Sequence, residues 1–168
     1  MPRRLTVRRS SIHGRGMFAV VDLSAETTLI EYSGRLITPA QARRIYGRAA
    51  DPRSRFLLTL NDRYIVDANV GGNSARWINH SCAPNCLAYI LEEDRGRADK
   101  AFIATLRPIC AGEELTFDYR IRVDAPLTQR LKELWACNCG APECTGTMLA
   151  PPGYEPVRRG DATPPRAM

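Results

Sequence analysis

The stretch Gly72-Asn73-Ser74-Ala75-Arg76-Trp77-Ile78-Asn79-His80-Ser81-Cys82-Ala83-Pro84-Asn85 gathers amide, imidazole, hydroxyl and thiol groups within a few positions. By itself, His80-Ser81 fits a polar loop with satisfied hydrogen bonds. A hydrolase dyad fits poorly, because adjacent residues rarely aim at one another and no Gly-x-Ser-x-Gly elbow accompanies them. Downstream, Cys137-x-Cys139-x4-Cys144 places three thiols in eight residues, with Gly140 and Pro142 bending the chain between them. A structural zinc takes four soft ligands in a closed tetrahedron, so this trio needs a fourth. The Asn79–Cys82 loop, more than fifty residues upstream, can supply it. That pairing would staple the C-terminal segment over the Asn79–Asn85 loop.

At 168 residues the chain fits one domain with a small appendage, long enough to bury a real core. No apolar run reaches membrane-spanning length, and Met1-Pro2-Arg3-Arg4-Leu5 lacks the apolar stretch of a signal peptide, so a soluble intracellular protein is expected. The clustered cysteine spacing favours metal over disulfides. Cys86 and Cys110 fall outside the cluster and are expected as buried thiols. Net charge is +6, and lysine occurs only at Lys100 and Lys132, so the basic character is arginine. Arg3, Arg4, Arg8, Arg9 and Arg15 precede the first acid. They could steer the protein to nucleic acid or nucleoprotein, or form an ordinary solvated face. Aromatic residues interleaved for base stacking are absent, which weakens a direct RNA reading.

Leu5–Arg9, Thr28–Tyr32, Phe56–Leu60, Tyr64–Val66, Leu87–Leu91, Ala101–Leu106 and Glu114–Phe117 are short, rich in β-branched and aromatic residues, and separated by Gly, Pro, Asn or Asp. The pattern predicts many short strands rather than βαβ units. Asn61-Asp62 reads as a hairpin turn and Asp94–Asp99 as an exposed charged loop. Thr38-Pro39 reads as an N-cap followed by proline at the first helical position, opening a helix to about Gly47. Pro126 precedes a second helix, Leu127–Trp135, with Leu127, Leu131, Leu134 and Trp135 on one face. The tail from Pro151 holds five prolines and no apolar periodicity, which predicts disorder.

Gly14-Arg15-Gly16 alone reads as a turn whose backbone can approach a ligand closely. Tyr64-x-x-Asp67-Ala68 leads into the Gly72–Asn85 stretch, and Gly112-Glu113-Glu114-Leu115-Thr116-Phe117-Asp118-Tyr119 follows it. In this order and spacing, with the closing C-x-C-x4-C, the chain resembles the SET-domain protein lysine methyltransferases from about Leu5 to Leu149. The resemblance implies a mostly β fold with short helices: several small sheets around a pseudoknot, where the segment after Gly112 threads through a loop at Asn79. It divides the chain into a SET domain over 1–122, a linker helix and zinc-bound post-SET segment over 123–149, and a tail over 150–168.

The resemblance also implies site roles. Arg15, Gly16 and Met17 match the loop that cradles the methionine part of S-adenosylmethionine. Asn79 and His80 match residues holding its adenosine part, and Tyr119 matches the catalytic tyrosine. Tyr32 and Phe117 match residues lining the lysine channel, with Phe56 near a position often tyrosine. Cys82, Cys137, Cys139 and Cys144 match the ligands of one structural zinc. Arg35 stands where glutamate is usual and Trp77 where phenylalanine is common, which bears on substrate fit. The cysteine cluster that precedes the domain in some histone enzymes is absent from these residues.

The implied function is methyl transfer to lysine in a histone or another basic, nucleic-acid-associated protein, adding two or three methyl groups. A basic enzyme on a lysine-rich peptide is electrostatically awkward unless local acids such as Glu92, Glu93 and Asp94 offset it. The competing readings are a SET-like, zinc-stabilised peptide or nucleoprotein binding module without turnover, and a zinc-stabilised nucleic-acid binder using the N-terminal arginines. The expected location is the cytoplasm of a bacterium, or the nucleus or chromatin of a eukaryote or a host, with no membrane association.

Overall fold

The computed structural model describes residues 4–47, 56–92, 98–123 and 125–153. In chain order the elements are β1 (Leu5–Arg9), β2 (Arg15–Ala19), β3 (Thr28–Tyr32), β4 (Arg35–Ile37), α1 (Pro39–Tyr46), β5 (Leu57–Thr59), β6 (Ile65–Asp67), a 3-10 turn (Ser74–Trp77), β7 (Asn79–His80), β8 (Cys86–Leu91), β9 (Lys100–Thr105), β10 (Glu114–Phe117) and α2 (Gln129–Leu134). They build three small sheets, ordered β1-β2-β10-β7, β3-β9-β8 and β4-β6-β5. The mostly β architecture with few helices is the expected one.

Each sheet buries one face in a common core. Met17, Ile78, Ile103, Ile109 and Leu115 are fully buried there, joined by Tyr32 and Phe117. β10 lies between β2, antiparallel to it, and β7, parallel to it, with Thr116 opposite Asn79 and Phe117 opposite His80. A two-residue parallel strand cannot be closed by a hairpin. The chain between β7 and β10 therefore returns by a crossover through β8 and β9.

Local chemistry sets the element ends. The Thr38 hydroxyl accepts the Gln41 N–H while the Gln41 side chain accepts the Thr38 N–H, a capping box with Pro39 at the first helical position. At the β5–β6 hairpin, Asn61 Oδ1 accepts the N–H groups of Arg63 and Tyr64, both at 2.9 Å. The second helix is shorter than expected because Thr128 caps it and accepts the Leu131 N–H. None of its residues is buried, and Leu134 is 45% exposed, so the expected apolar face is only partly covered.

Other expectations need amendment. β2, β4 and β7 were not foreseen. β2 opens on Arg15-Gly16, so only Gly14, at φ +49°, belongs to a turn. Cys86 is buried as expected, but Cys110 is exposed. Ala150, assigned to the tail, is buried and its N–H donates to Ile121. Residues 94–97 of the charged loop, Arg3 and the tail from 154 lie outside the described residues.

Asp67 is a further organising feature. Wholly buried, it accepts from Arg35 Nη2, Tyr46 Oη and Asn69 Nδ2, each at 2.9 Å. It thereby ties α1 to β4 and β6. Burial alone would raise its carboxyl, but the bonds from Asn69, Arg35 and Tyr46 outweigh that and hold it below the usual range. Arg35, unusual by the resemblance, is therefore the partner of a buried carboxylate.

Candidate active site and metal centre

Asn79 stands where three segments meet. Its Nδ2 lies 3.0 Å from the Arg15 carbonyl, 3.2 Å from the His13 carbonyl, 2.8 Å from Glu114 Oε1 and 3.1 Å from Ser10 Oγ. An amide nitrogen carries two hydrogens, so these acceptors exceed what Asn79 alone can satisfy. Two carbonyls and a carboxylate converging on one point suit an ammonium group. Gly16 is required here by close approach. A Cβ at that position would sit 2.2 Å from Glu114 Oε1. Arg15 turns its guanidinium over the Trp77 ring, 5.3 Å from the centroid, and Met17 is buried beneath the strand. His13, Ser10 and Glu114 were not foreseen as members. Two of the contacts use main-chain oxygens, which any residue type supplies, so no side-chain signal could have marked them.

An aromatic cluster adjoins this point. Phe117 and Tyr119 rings lie 4.8 Å apart, tilted at 47°, and the His80 ring meets Tyr119 edge-on at 5.3 Å. Tyr119 Oη donates to the Ile78 carbonyl at 2.8 Å, leaving its oxygen lone pairs as acceptors. Tyr32 is buried nearby. Burial holds both phenols above their ordinary range, opposed at Tyr32 by Arg76 and reinforced at Tyr119 by Tyr32 and Glu114, so both stay neutral. Phe56 sits at the margin, packed edge-on against Trp77 at 5.1 Å. The structure thus groups Tyr32, Phe117 and Tyr119 closely and leaves Phe56 on the outer wall.

Tyr119 lies two residues past the end of β10, and the chain turns sharply at Arg120, whose φ is +45°. A non-glycine residue pays for that conformation. Asp118 offsets the cost by accepting the Arg120 N–H at 3.2 Å and pairing with its guanidinium. Sequence gave no sign of this turn.

The four foreseen cysteines come together. The sulfurs of Cys82, Cys137, Cys139 and Cys144 all lie within 4.8 Å of one another, with Cys82 at 3.8 Å from Cys137 and 4.0 Å from Cys144. A zinc–sulfur bond of about 2.3 Å in a tetrahedron makes sulfur–sulfur edges of about 3.8 Å, so the set fits that ion. None is in a disulfide. N–H groups of Cys139 and Gly146 point at the Cys137 and Cys144 sulfurs, each at 3.4 Å, and favour thiolate, although burial and the neighbouring sulfurs still hold both thiols above their usual range. Burial opposes ionisation of Cys139, yet N–H groups of Cys82 and Ala141 outweigh it and bring the thiol down to about 6. The segment is also tied by backbone: Ile121 pairs with Leu149, and Ala136 with Thr147.

Elsewhere, Glu92 is exposed, while Glu93 and Asp94 lie outside the described residues. No helix among the described residues is long and apolar enough to cross a membrane.

Residues 14–120, well over half the chain, match the SET domain family. Over 139 residues, covering 81% of this chain, it is 38% identical to human histone-lysine N-methyltransferase 2D. It is 37% identical over 147 residues, 82% of this chain, to human histone-lysine N-methyltransferase 2B. It is 36% identical over 144 residues, 84% of this chain, to an H3 lysine-4 specific histone-lysine N-methyltransferase of Eremothecium gossypii. The alignments span 2%, 5% and 14% of those proteins' own lengths. With the strand order, the Asn79 junction and the sulfur cluster already described, the match settles the lineage: this chain belongs to the SET-domain family.

Proposed function

We propose that this protein is an S-adenosylmethionine-dependent protein-lysine N-methyltransferase. Its substrate is a histone or another basic, nucleic-acid-associated protein, and it adds two or three methyl groups. The observation that carries this is a neutral Tyr119, its hydroxyl fixed on Ile78, standing beside the Asn79 junction of acceptors. The names of the aligned relatives support the class of reaction and of substrate.

When bound, S-adenosylmethionine supplies an electrophilic methyl group on a sulfonium. Its ammonium would suit the carbonyls of Arg15 and His13 and the Glu114 carboxylate, with Asn79 and His80 beside it. Cys82, Cys137, Cys139 and Cys144 would hold one zinc, whose work is structural: it ties the segment after Trp135 to the loop after His80.

The target lysine must arrive neutral. Its ordinary pKa of about 10.4 makes deprotonation at pH 7 cost about 4–5 kcal/mol. The apolar rings of Tyr32, Phe117 and Tyr119 desolvate the ammonium and bring that cost down. Tyr119 cannot take the proton itself, since burial keeps its phenol from ionising and would make phenolate costly. Water receives it. Tyr119 instead accepts an amine N–H on its oxygen and points the nitrogen lone pair along the channel; such alignment is worth several kcal/mol. A histone or similar substrate places the protein with nucleic acid, in cytoplasm or chromatin according to the cell.

The test is transfer of labelled methyl from S-adenosylmethionine into purified histones and into source-cell lysate, followed by mass spectrometry of labelled bands. Lysine-linked label that disappears in Tyr119→Phe is expected. Cofactor binding without transfer would instead establish a binding module. Absence of cofactor binding would leave a zinc-stabilised nucleoprotein binder.

A further inference from the structure

We propose that the β1–β2 hairpin is a docking surface for the phosphate backbone of duplex nucleic acid, using Arg4, Arg8 and Arg9, with Arg15 at its inner end. The choice of a duplex as occupant rests on the substrate class proposed above; the placement of the cations does not.

Arg9 and Arg15 are direct cross-strand partners at the end of the hairpin. Like charges directly opposite one another destabilise a sheet, so an acid at either position would serve the fold better. Four cations elsewhere are matched: Arg35 with Asp67, Lys100 with Glu31, Arg107 with Glu113 and Arg120 with Asp118. No such ion pair involves Arg4, Arg8, Arg9 or Arg15 among the described residues. The carboxylate facing the hairpin is Glu114, and Ser10 and Asn79 occupy it.

The shape of the hairpin favours an extended anion. Arg8 lies over the Phe18 ring, 4.4 Å from its centroid, which holds the guanidinium along the surface and leaves its donors outward. A concavity of about 550 Å³ at the end of the hairpin is lined by Val7, Arg8, Arg9, Gly14 and Arg15. β1 is the outer strand of its sheet, so Arg8 on one face and Arg9 at the end of the other both lie along an open sheet edge. Cations spread over two strands, with no apolar recess and no base-stacking aromatics, suit sequence-independent phosphate contact rather than base readout. A duplex is the occupant this chemistry favours, because a histone-type substrate comes wrapped in one.

The experiment is fluorescence anisotropy of the full chain with a labelled mixed-sequence 20-base-pair duplex, across a salt series. Arg4→Ser/Arg8→Ser/Arg9→Ser is compared with Arg43→Ser/Arg44→Ser/Arg130→Ser, which removes the same charge from exposed sites on α1 and α2. Arg15 is left intact because it belongs to the candidate cofactor loop. Each phosphate contact adds roughly 0.9 to the slope of log affinity on log salt. The hairpin variant should therefore lose about 2–3 from the wild-type slope and bind at least ~10-fold more weakly at low salt, while the helix variant behaves as wild type. Equal weakening in both variants would reduce the effect to net charge and overturn the proposal. So would a wild-type chain that ignores the duplex, or one that binds only anionic lipid vesicles. Labelled-methyl transfer to a free histone peptide, measured on the same variants, keeps this outcome separate: it should be unchanged, and its absence in the wild type would count against the methyltransferase alone.

Discussion

The Nδ1 atom of His80 accepts the backbone N–H of Tyr119 at 3.1 Å. Nδ1 therefore carries no hydrogen, and the ring proton is on Nε2, which faces the Cys82 sulfur at 3.5 Å. The Asp118 carboxylate, 3.6 Å from Nδ1, forms no ion pair with a neutral ring. Burial, more than any neighbouring charge, keeps the ring neutral by pushing its pKa down. One imidazole thus joins Tyr119, just past β10, to the sulfur cluster at the C-terminal segment.

Removing that link should be felt on both sides. His80→Ala is expected to weaken S-adenosylmethionine binding and methyl transfer together, because both the Asn79 junction and the Tyr119 backbone lose support. His80→Gln, which can accept one hydrogen bond and donate another, should recover part of each. Calorimetry showing unchanged affinity in His80→Ala would move the cofactor elsewhere.

Tyr119→Phe removes only a hydroxyl whose partner is a main-chain carbonyl. The expected result is a melting temperature and cofactor affinity close to wild type, with turnover lower by at least ~100-fold. Near-normal turnover would remove Tyr119 from the mechanism.

The sulfur cluster predicts metal content. Purified protein should hold close to one zinc per chain. Chelation, or Cys139→Ser, should expose residues 136–149 to protease and abolish most transfer, since so short a segment depends on its metal to fold. Metal analysis finding no zinc, with Cys82 in a disulfide, would refute this.

The buried Asp67 predicts an acid sensitivity that the metal does not explain. Its carboxyl is held below the usual range in the folded protein, so its contribution is complete above the unfolded value of 3.8 and is lost as pH falls through the lower folded value. Asp67→Asn should cost about 2–3 kcal/mol at pH 7, because Arg35 and Tyr46 lose their anionic acceptor. The cost should shrink toward zero at the acid end of a denaturant series. A pH-independent difference would assign Asp67 a packing role only.

Legibility in the sequence followed chemistry that is local or side-chain based. The Thr38-Pro39 cap and the Asn61 turn each carry their cause within four residues, and the four cysteines carry theirs in a spacing that metal geometry demands. The long-range pieces were hidden. β7 has two residues and exists only because β10 arrives beside it, so no periodicity could announce it. The His13 and Arg15 contacts to Asn79 run through main-chain oxygens. Asp67 was visible only as part of a motif, and its bond to Arg35 spans 32 positions. Cys110 was misjudged because its type is usually buried, whereas the turn before β10 leaves it in solvent.

The number of methyl groups added should depend on Phe117. This ring is 7% exposed, 4.8 Å from Tyr119, and its backbone is opposite His80, so it cannot swing away from the cluster. In the SET family the aromatic two residues before the catalytic tyrosine governs product: a tyrosine there can hold a water beside the amine, and the water takes the space a methylated lysine needs in order to turn. Phe117 has no hydroxyl to hold that water. The freed volume should admit mono- and dimethyl-lysine for further attack, giving di- or trimethylated product. Phe117→Tyr should restore the water and shift the product to monomethyl, with the first methylation little changed, because the neutral amine and Tyr119 are untouched. Mass spectrometry over a time course with excess cofactor checks this. A wild-type protein that halts at one methyl group would refute the prediction.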